Sequence, residues 1–102
     1  MSSRWLVYVI ESSDGSYYTG ITNNLRRRWQ QHTSGKGGAK YFRGRQPKAV
    51  VFIEWQQDRS AASRREYQIK QLTRAQKESL VESQQVPGQA YIQSSMFKVC
   101  LE

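Results

Sequence analysis

The chain has 102 residues, of which 37% are hydrophobic, 12% aromatic and 24% charged, so it is long enough for one domain with a single core and too short for two. Three Trp, six Tyr and three Phe are more aromatic mass than a disordered chain usually carries. There is no run of about 18 apolar residues and no export signal, so we expect no membrane span and a cytoplasmic protein. The single Cys100 excludes an internal disulfide and a cysteine-rich zinc site.

The positive charge of the chain is concentrated in one stretch. Sixteen Lys and Arg against eight Asp and Glu give a net charge of +8, and no acidic residue lies between Asp14 and Glu54. A segment of one sign attracts a polyanion, and nucleic acid gains most from it through counterion release. A solvated basic face or attraction to an anionic membrane would explain the composition equally well. The side chains that we expect to contact nucleic acid are Arg26, Arg27, Lys36, Lys40, Arg43, Arg45 and, later in the chain, Lys70.

The chain begins with the pattern of a β-hairpin. Trp5 to Ile10 and Tyr17 to Thr22 are runs of β-branched and aromatic residues. Asp14-Gly15 lies between them and is typical of a tight hairpin turn.

A helix is predicted directly after the hairpin. Asn23 or Asn24 can cap its N-terminus, and apolar or aromatic residues recur at helical spacing at Leu25, Trp29 and His32. The glycine-rich segment from Gly35 to Gly44 has no clear period and indicates a basic loop.

The second half of the chain adds one strand and two helices. The run from Ala49 to Trp55 predicts a third strand, apolar enough to be central in a small sheet. Asp58 or Ser60 can cap a helix that extends to about Leu72, and a shorter helix is expected over Arg74 to Glu82. This order predicts an α+β fold, with a three-stranded antiparallel-type sheet flanked by helices.

We expect residues 1–82 to form the domain and residues 83–102 to form a separate tail. The tail is rich in Gln and Ser, is interrupted by Pro87-Gly88, and turns apolar from Met96 to Leu101. A loop, a docked segment and a partner-binding end are all compatible with this composition.

Polar residues occupy positions where the pattern calls for apolar ones. Tyr8 lies in the middle of the first strand, and Tyr18 lies across the hairpin from it. Arg28 and His32 are four residues apart on the first helix, so they share a side of it. Glu66 falls on the inner stripe of the later helix.

The position of Glu66 requires a partner. It shares its helical stripe with Ala62 and Ile69, so we expect its carboxylate to point toward the sheet. Burying an unpaired carboxylate costs on the order of several kcal/mol. We therefore expect either Arg28 or a metal ion beside it.

These residues resemble the signature of the GIY-YIG nuclease superfamily over about residues 4 to 82. Leu6-Val7-Tyr8 is similar to the first element with its Gly replaced, and Tyr18-Thr19-Gly20 is similar to the second. The run from Tyr18 to His32 matches Y-x-G-x-[ST]-x-x-L-x-x-R-x-x-x-H. The run from Glu66 to Lys77 resembles E-x-x-I-K-x-L-[ST]-[RK]-x-Q-K of small stand-alone bacterial members. Larger members often carry an Asn after the Glu, and this chain has no Asn beyond Asn24, so what that residue supports is either absent or supplied by Gln76 or Lys77.

The resemblance implies a metal-dependent endonuclease that hydrolyses DNA phosphodiester bonds in repair or recombination. It assigns one Mg²⁺ or Mn²⁺ to Glu66 and the scissile phosphate to Arg28. Tyr8 would be the general base, with nearby cations favouring its phenolate, while Tyr18 and His32 orient water and phosphate. Which tyrosine takes the proton stays open. No element resembles a base-reading helix or zinc finger, so we expect recognition of DNA structure or backbone.

Two functions of other classes remain as alternatives. One is a catalytically weak nucleic-acid-binding module that has kept the fold. The other is a protein-interaction domain whose tail, Met96 to Leu101, docks on a partner. Taken singly, a buried tyrosine or an Arg28–Glu66 ion pair has a purely structural explanation, and only the combination favours a nuclease.

Overall fold

The described part of the chain forms one antiparallel sheet covered by helices. The computed structural model describes residues 4–34, 37 and 40–83. The strands lie in the order β2-β1-β3, with both pairings of β1 antiparallel. The predicted α+β fold is confirmed, and its elements are β1 (Trp5–Ser12), β2 (Tyr17–Thr22), α1 (Leu25–Ser34), a 3₁₀ turn (Lys40–Phe42), β3 (Pro47–Gln56), α2 (Arg59–Lys70) and α3 (Arg74–Ser83).

The prediction that β3 is the central strand is wrong, because β1 holds that place. β1 pairs on both edges, and its residues from Leu6 to Ile10 are all buried. β3 reads as continuously apolar because helices cover much of both faces of the sheet, not because both of its edges are paired. Near its C-terminal end, Trp55 is 45% exposed.

The two faces of the sheet have different coverings. Successive residues of a strand point to opposite faces, so Leu6, Tyr8 and Ile10 share one face of β1. They pack with Leu25 and Trp29 of α1, and we call this the α1 face. The opposite face, the α2 face, contains Val7, Val9, Phe52, Ala62 and Ile69.

Side-chain caps fix where the first two helices begin. Asn24 Oδ1 accepts a hydrogen bond from Arg27 N at 3.0 Å, so Asn24 rather than Asn23 caps α1. Asp58 Oδ1 accepts from Ala61 N at 2.8 Å, so Asp58 rather than Ser60 caps α2. α2 ends at Lys70, two residues before the predicted Leu72.

Gln76, one of the two residues that could replace the Asn of larger family members, caps the start of α3. Gln76 Oε1 accepts from Thr73 N at 2.9 Å, and Thr73 Oγ1 accepts from Gln76 N at 3.2 Å. This reciprocal pair is a capping box. The Gln76 amide oxygen therefore stabilises the helix terminus.

Two expectations from the sequence concern membrane-spanning helices and the C-terminal tail. None of the helices within those ranges is both long and apolar enough to cross a bilayer. The tail from residue 84 onward lies outside them, so the expectations for residues 83–102 stay predictions.

Candidate active site

The buried centre of the α1 face is a hydrogen bond between Tyr8 and His32. The Tyr8 hydroxyl lies 2.9 Å from His32 Nε2. Tyr8 is fully buried and His32 is 2% exposed. The central strand supplies the phenol and the inner side of α1 supplies the imidazole, so both are held by packed elements.

Gly20 makes room for the Tyr8 hydroxyl. It lies directly opposite Tyr8 in the β1–β2 register. A Cβ on Gly20 would lie 2.6 Å from Tyr8 Oη and 2.8 Å from Tyr8 Cζ, closer than packed atoms tolerate. The glycine of the second signature element therefore has a steric reason that the sequence pattern did not give.

Arg28 brings a permanent positive charge to the tyrosines. It lies one turn before His32 on α1, and its Nη1 donates to Gln31 Oε1 and to the Gly37 carbonyl, each at 2.9 Å. Burial alone lowers the pKa of Arg28, but its interactions with the hydroxyls of Tyr8 and Tyr18 outweigh burial and raise that pKa. Arg28 therefore stays charged beside both phenols.

The protonation states of Tyr8 and His32 follow from their burial. Burial raises the pKa of Tyr8, Tyr18 raises it further, and Arg28 only partly offsets them. Burial, together with the Arg28 charge, lowers the pKa of His32 to about 4. The expected effect of a nearby cation is present, because Arg28 lowers the pKa of Tyr8, but burial outweighs it in the free protein. At neutral pH the pair is a phenol and a neutral imidazole.

An aromatic wall surrounds the Tyr8–His32 pair, and we define it as Tyr18, Tyr41 and Phe42. The ring centroids of Phe42 and Tyr18 lie 4.7 Å and 5.4 Å from that of His32. Tyr18 also lies 5.2 Å from both Tyr41 and Phe42. The sequence analysis missed Tyr41 and Phe42, whose only signal is an aromatic pair after a glycine-rich stretch. Tyr18 and Phe42 of this wall thus contribute to the burial of His32.

A network anchored on the hairpin turn holds the aromatic wall in place. Arg45 Nε lies 3.0 Å from Asp14 Oδ2, and the Arg45 guanidinium lies 4.3 Å from the centroid of the Tyr41 ring. Arg45 Nη1 also donates to the Tyr41 carbonyl at 3.1 Å, and the Tyr41 hydroxyl donates to Ser16 Oγ. Arg45, which the sequence predicted to contact nucleic acid, therefore contacts Asp14 and Tyr41 instead, and the Asp14 carboxylate balances its charge.

Glu66 lies on α2, whose buried residues Ala62 and Ile69 pack on the α2 face. The Glu66 side chain is 21% exposed, and Lys70 Nζ lies 3.2 Å from its Oε2. The cation beside Glu66 is thus Lys70 of the same helix and not Arg28, which donates to Gln31 and Gly37 and interacts with the Tyr8 and Tyr18 hydroxyls.

Glu66 fits a weakly held divalent ion of the Mg²⁺ type. Within the described ranges, no three or more His, Cys, Asp or Glu side chains are grouped as metal ligands. A metal at Glu66 would therefore rely on one carboxylate, with water and substrate oxygens completing its shell, which suits Mg²⁺. The half-exposed Lys70 ammonium is the group that such an ion would displace.

The other basic residues predicted to contact nucleic acid differ in their exposure and in their partners. Lys36 lies outside the described residues, and Lys70 pairs with Glu66. The predicted nucleic-acid contacts that the structure leaves on the surface are Arg26, Arg27, Lys40 and Arg43.

Comparison with known proteins identifies the family of this chain. Residues 4–79 match the model of the GIY-YIG catalytic domain. A UPF0213 protein of Photorhabdus laumondii is 47% identical over 92 residues, covering 90% of this chain and 88% of that protein. A UPF0213 protein of Halobacterium salinarum is 57% identical over 74 residues, covering 72% and 95%. The solution NMR structure of a UPF0213 protein from Bacillus halodurans, 40% identical, covers 88% of this chain and 97% of its own with a TM-score of 0.55. A match through most of the described residues, shared with relatives of similar length, means that this chain belongs to the GIY-YIG catalytic domain family, within a superfamily of nucleases.

Proposed function

We propose that the protein is a divalent-metal-dependent endonuclease that hydrolyses DNA phosphodiester bonds. The observation that supports it most is the 2.9 Å contact between Tyr8 Oη and His32 Nε2 beside Arg28. A buried phenol, a neutral proton acceptor and a fixed cation are the groups that general-base attack on a phosphate requires. We further propose that it recognises DNA structure or backbone and acts in cytoplasmic DNA repair or recombination.

Tyr8 and His32 act as one base. Burial keeps Tyr8 protonated, so a free phenolate is not its resting state. Neutral His32, with its proton on Nδ1, accepts the Tyr8 proton at Nε2 while Tyr8 Oη accepts a proton from the attacking water. His32 thus acts through Tyr8 and does not orient water itself.

Arg28 and Tyr18 bind and orient the phosphate and the water. The planar guanidinium of Arg28 offers paired N–H donors to two phosphate oxygens, which an ammonium group cannot do. Its charge also favours negative charge on Tyr8 as the water proton is transferred. Tyr18 is half-buried beside His32, so its hydroxyl is the one that can orient water at the rim.

Glu66 is the residue that would hold the divalent ion, Mg²⁺ or Mn²⁺. Such an ion, when bound, neutralises phosphate charge and stabilises the departing oxygen. Lys70 competes with it for the Glu66 carboxylate.

A catalytically weak nucleic-acid-binding module is the second candidate. The ion pair of Glu66 with Lys70, which engages the carboxylate that a nuclease would use for its metal ion, favours this alternative. It predicts DNA binding that needs no metal and depends steeply on salt.

Cleavage of supercoiled plasmid and of branched labelled DNA distinguishes the two candidates. Each DNA is incubated with the protein in Mg²⁺, in Mn²⁺ or in EDTA. Glu66→Gln is compared with Glu78→Gln, because Glu78 also forms an i,i+4 ion pair on a helix, with Arg74. We expect metal-dependent cleavage that is lost in Glu66→Gln and kept in Glu78→Gln. Salt-sensitive binding without cleavage would establish the binding module instead.

A further inference from the structure

Two arginine–tryptophan contacts lie at the end of the sheet where β1 begins and β3 ends. The Arg4 guanidinium carbon lies 5.1 Å from the centroid of the Trp55 ring. The Arg59 guanidinium carbon lies 5.4 Å from the centroid of the Trp5 ring. Trp55 remains 45% exposed even with Arg4 over it. This end of the sheet therefore presents an accessible indole beside positive charge.

Trp55 lies on the same face of the sheet as the active site. It is opposite Leu6 in the β1–β3 register, and Leu6 shares the α1 face with Tyr8. Leu6 and Tyr8 are two residues apart, or about 7 Å at the usual strand rise of about 3.4 Å per residue, and Trp55 lies one strand further over. A DNA strand whose phosphate occupies the active site can therefore continue along this face of the sheet toward Trp55.

The carboxylates next to Trp55 and Arg59 in the sequence, Glu54 and Asp58, have other partners. Glu54 Oε1 lies 2.6 Å from Arg65 Nε, and Asp58 Oδ1 accepts from the backbone at the start of α2. Both are engaged away from Arg4 and Arg59. The Arg4 charge over Trp55 is thus complementary to a polyanion, and the exposed indole offers a stacking surface for its bases.

We propose that Trp55 and Arg4 form a stacking site for an unpaired nucleobase of the DNA strand that enters the active site. This inference rests on the proposed function, since it deepens the substrate class. Bases inside a duplex are already stacked and must be unpaired before a protein ring can contact them. The protein therefore prefers DNA with single-stranded nucleotides beside the scissile phosphate over continuous duplex.

Binding in EDTA tests the site without requiring cleavage. Anisotropy is measured on a labelled duplex with a single-stranded flap and on a fully paired duplex of the same length. We expect Trp55→Ala to weaken flap binding about 5- to 100-fold, the range of one lost base–aromatic contact, while changing duplex binding less than about 2-fold. Trp55→Phe keeps a stacking ring and should restore most of the flap affinity. The matched control is Tyr67→Ala, which removes an aromatic that is 66% exposed on α2 and should change neither.

The possible outcomes separate this inference from the proposed function. Equal losses on flap and duplex, or no loss in Trp55→Ala, would overturn the stacking site while leaving the nuclease intact. Selective loss on the flap in a protein that does not cleave would support the stacking site and overturn the nuclease. If Trp55→Ala does not fold, indole fluorescence replaces the anisotropy measurement. A single-stranded oligonucleotide should quench this fluorescence in the wild type, and the quenching should be smaller in Trp55→Phe. Absence of that change would refute the site.

Discussion

The protonation of His32 can be measured without overlapping signals from other imidazoles, because His32 is the only histidine in the chain. Burial and the Arg28 charge lower its pKa to about 4, against about 6.5 in an unfolded chain. Between these values the unfolded chain binds a proton that the folded protein does not. The contribution of His32 to the free energy of unfolding is therefore largest above pH 6.5, and it falls as the pH drops toward 4. A difference of about 2.5 pKa units corresponds to about 3 kcal/mol.

Urea unfolding followed by tryptophan fluorescence between about pH 7.5 and 4.5 measures this loss. The wild type should lose stability steadily below pH 6.5, whereas His32→Gln should be nearly flat until carboxylates titrate below about pH 5. NMR of the single imidazole gives the pKa and the tautomer directly. A midpoint near 6.5, or an unchanged slope in His32→Gln, would refute the inference that His32 is buried and neutral.

Three further substitutions test the packing and the phosphate contact. Gly20→Ala places a methyl group against Tyr8, so we expect a loss of about 1–3 kcal/mol in unfolding free energy and slower cleavage by folded protein; unchanged stability would contradict the steric role. Ile69→Ala removes a fully buried side chain of the α2 face and should cost about 2–5 kcal/mol without changing DNA affinity per folded molecule. Arg28→Lys keeps the charge but loses the paired donors, so cleavage should fall at least about 10-fold at nearly constant stability; full activity would show that charge alone suffices.

Local patterns predicted most of the fold. They also predicted that four of the five proposed site residues lie close together. Strand alternation places Tyr8 and Tyr18 on one face of the hairpin, and i,i+4 spacing places Arg28 and His32 on one side of α1. These relations depend on short stretches of chain. The structure brings these four side chains together.

The features that the sequence did not predict depend on distant parts of the chain. An apolar run shows that both faces of β3 are covered but not which of its edges is paired. The stripe around Glu66 identifies the inner side of α2 but not which face of the sheet α2 covers. Tyr41 and Phe42 follow a glycine-rich segment with no period, so no local pattern predicts that Phe42 contacts His32 or that Tyr41 contacts Tyr18.

Single-turnover cleavage by Tyr8→Phe in Mg²⁺ tests the central claim most directly. This variant keeps the ring that packs on the α1 face and removes only the hydroxyl bonded to His32. We expect the cleavage rate to fall at least about 100-fold, the usual size of a general-base contribution, with DNA affinity unchanged. Cleavage at the wild-type rate by folded Tyr8→Phe would contradict the assignment of Tyr8 and His32 as the base.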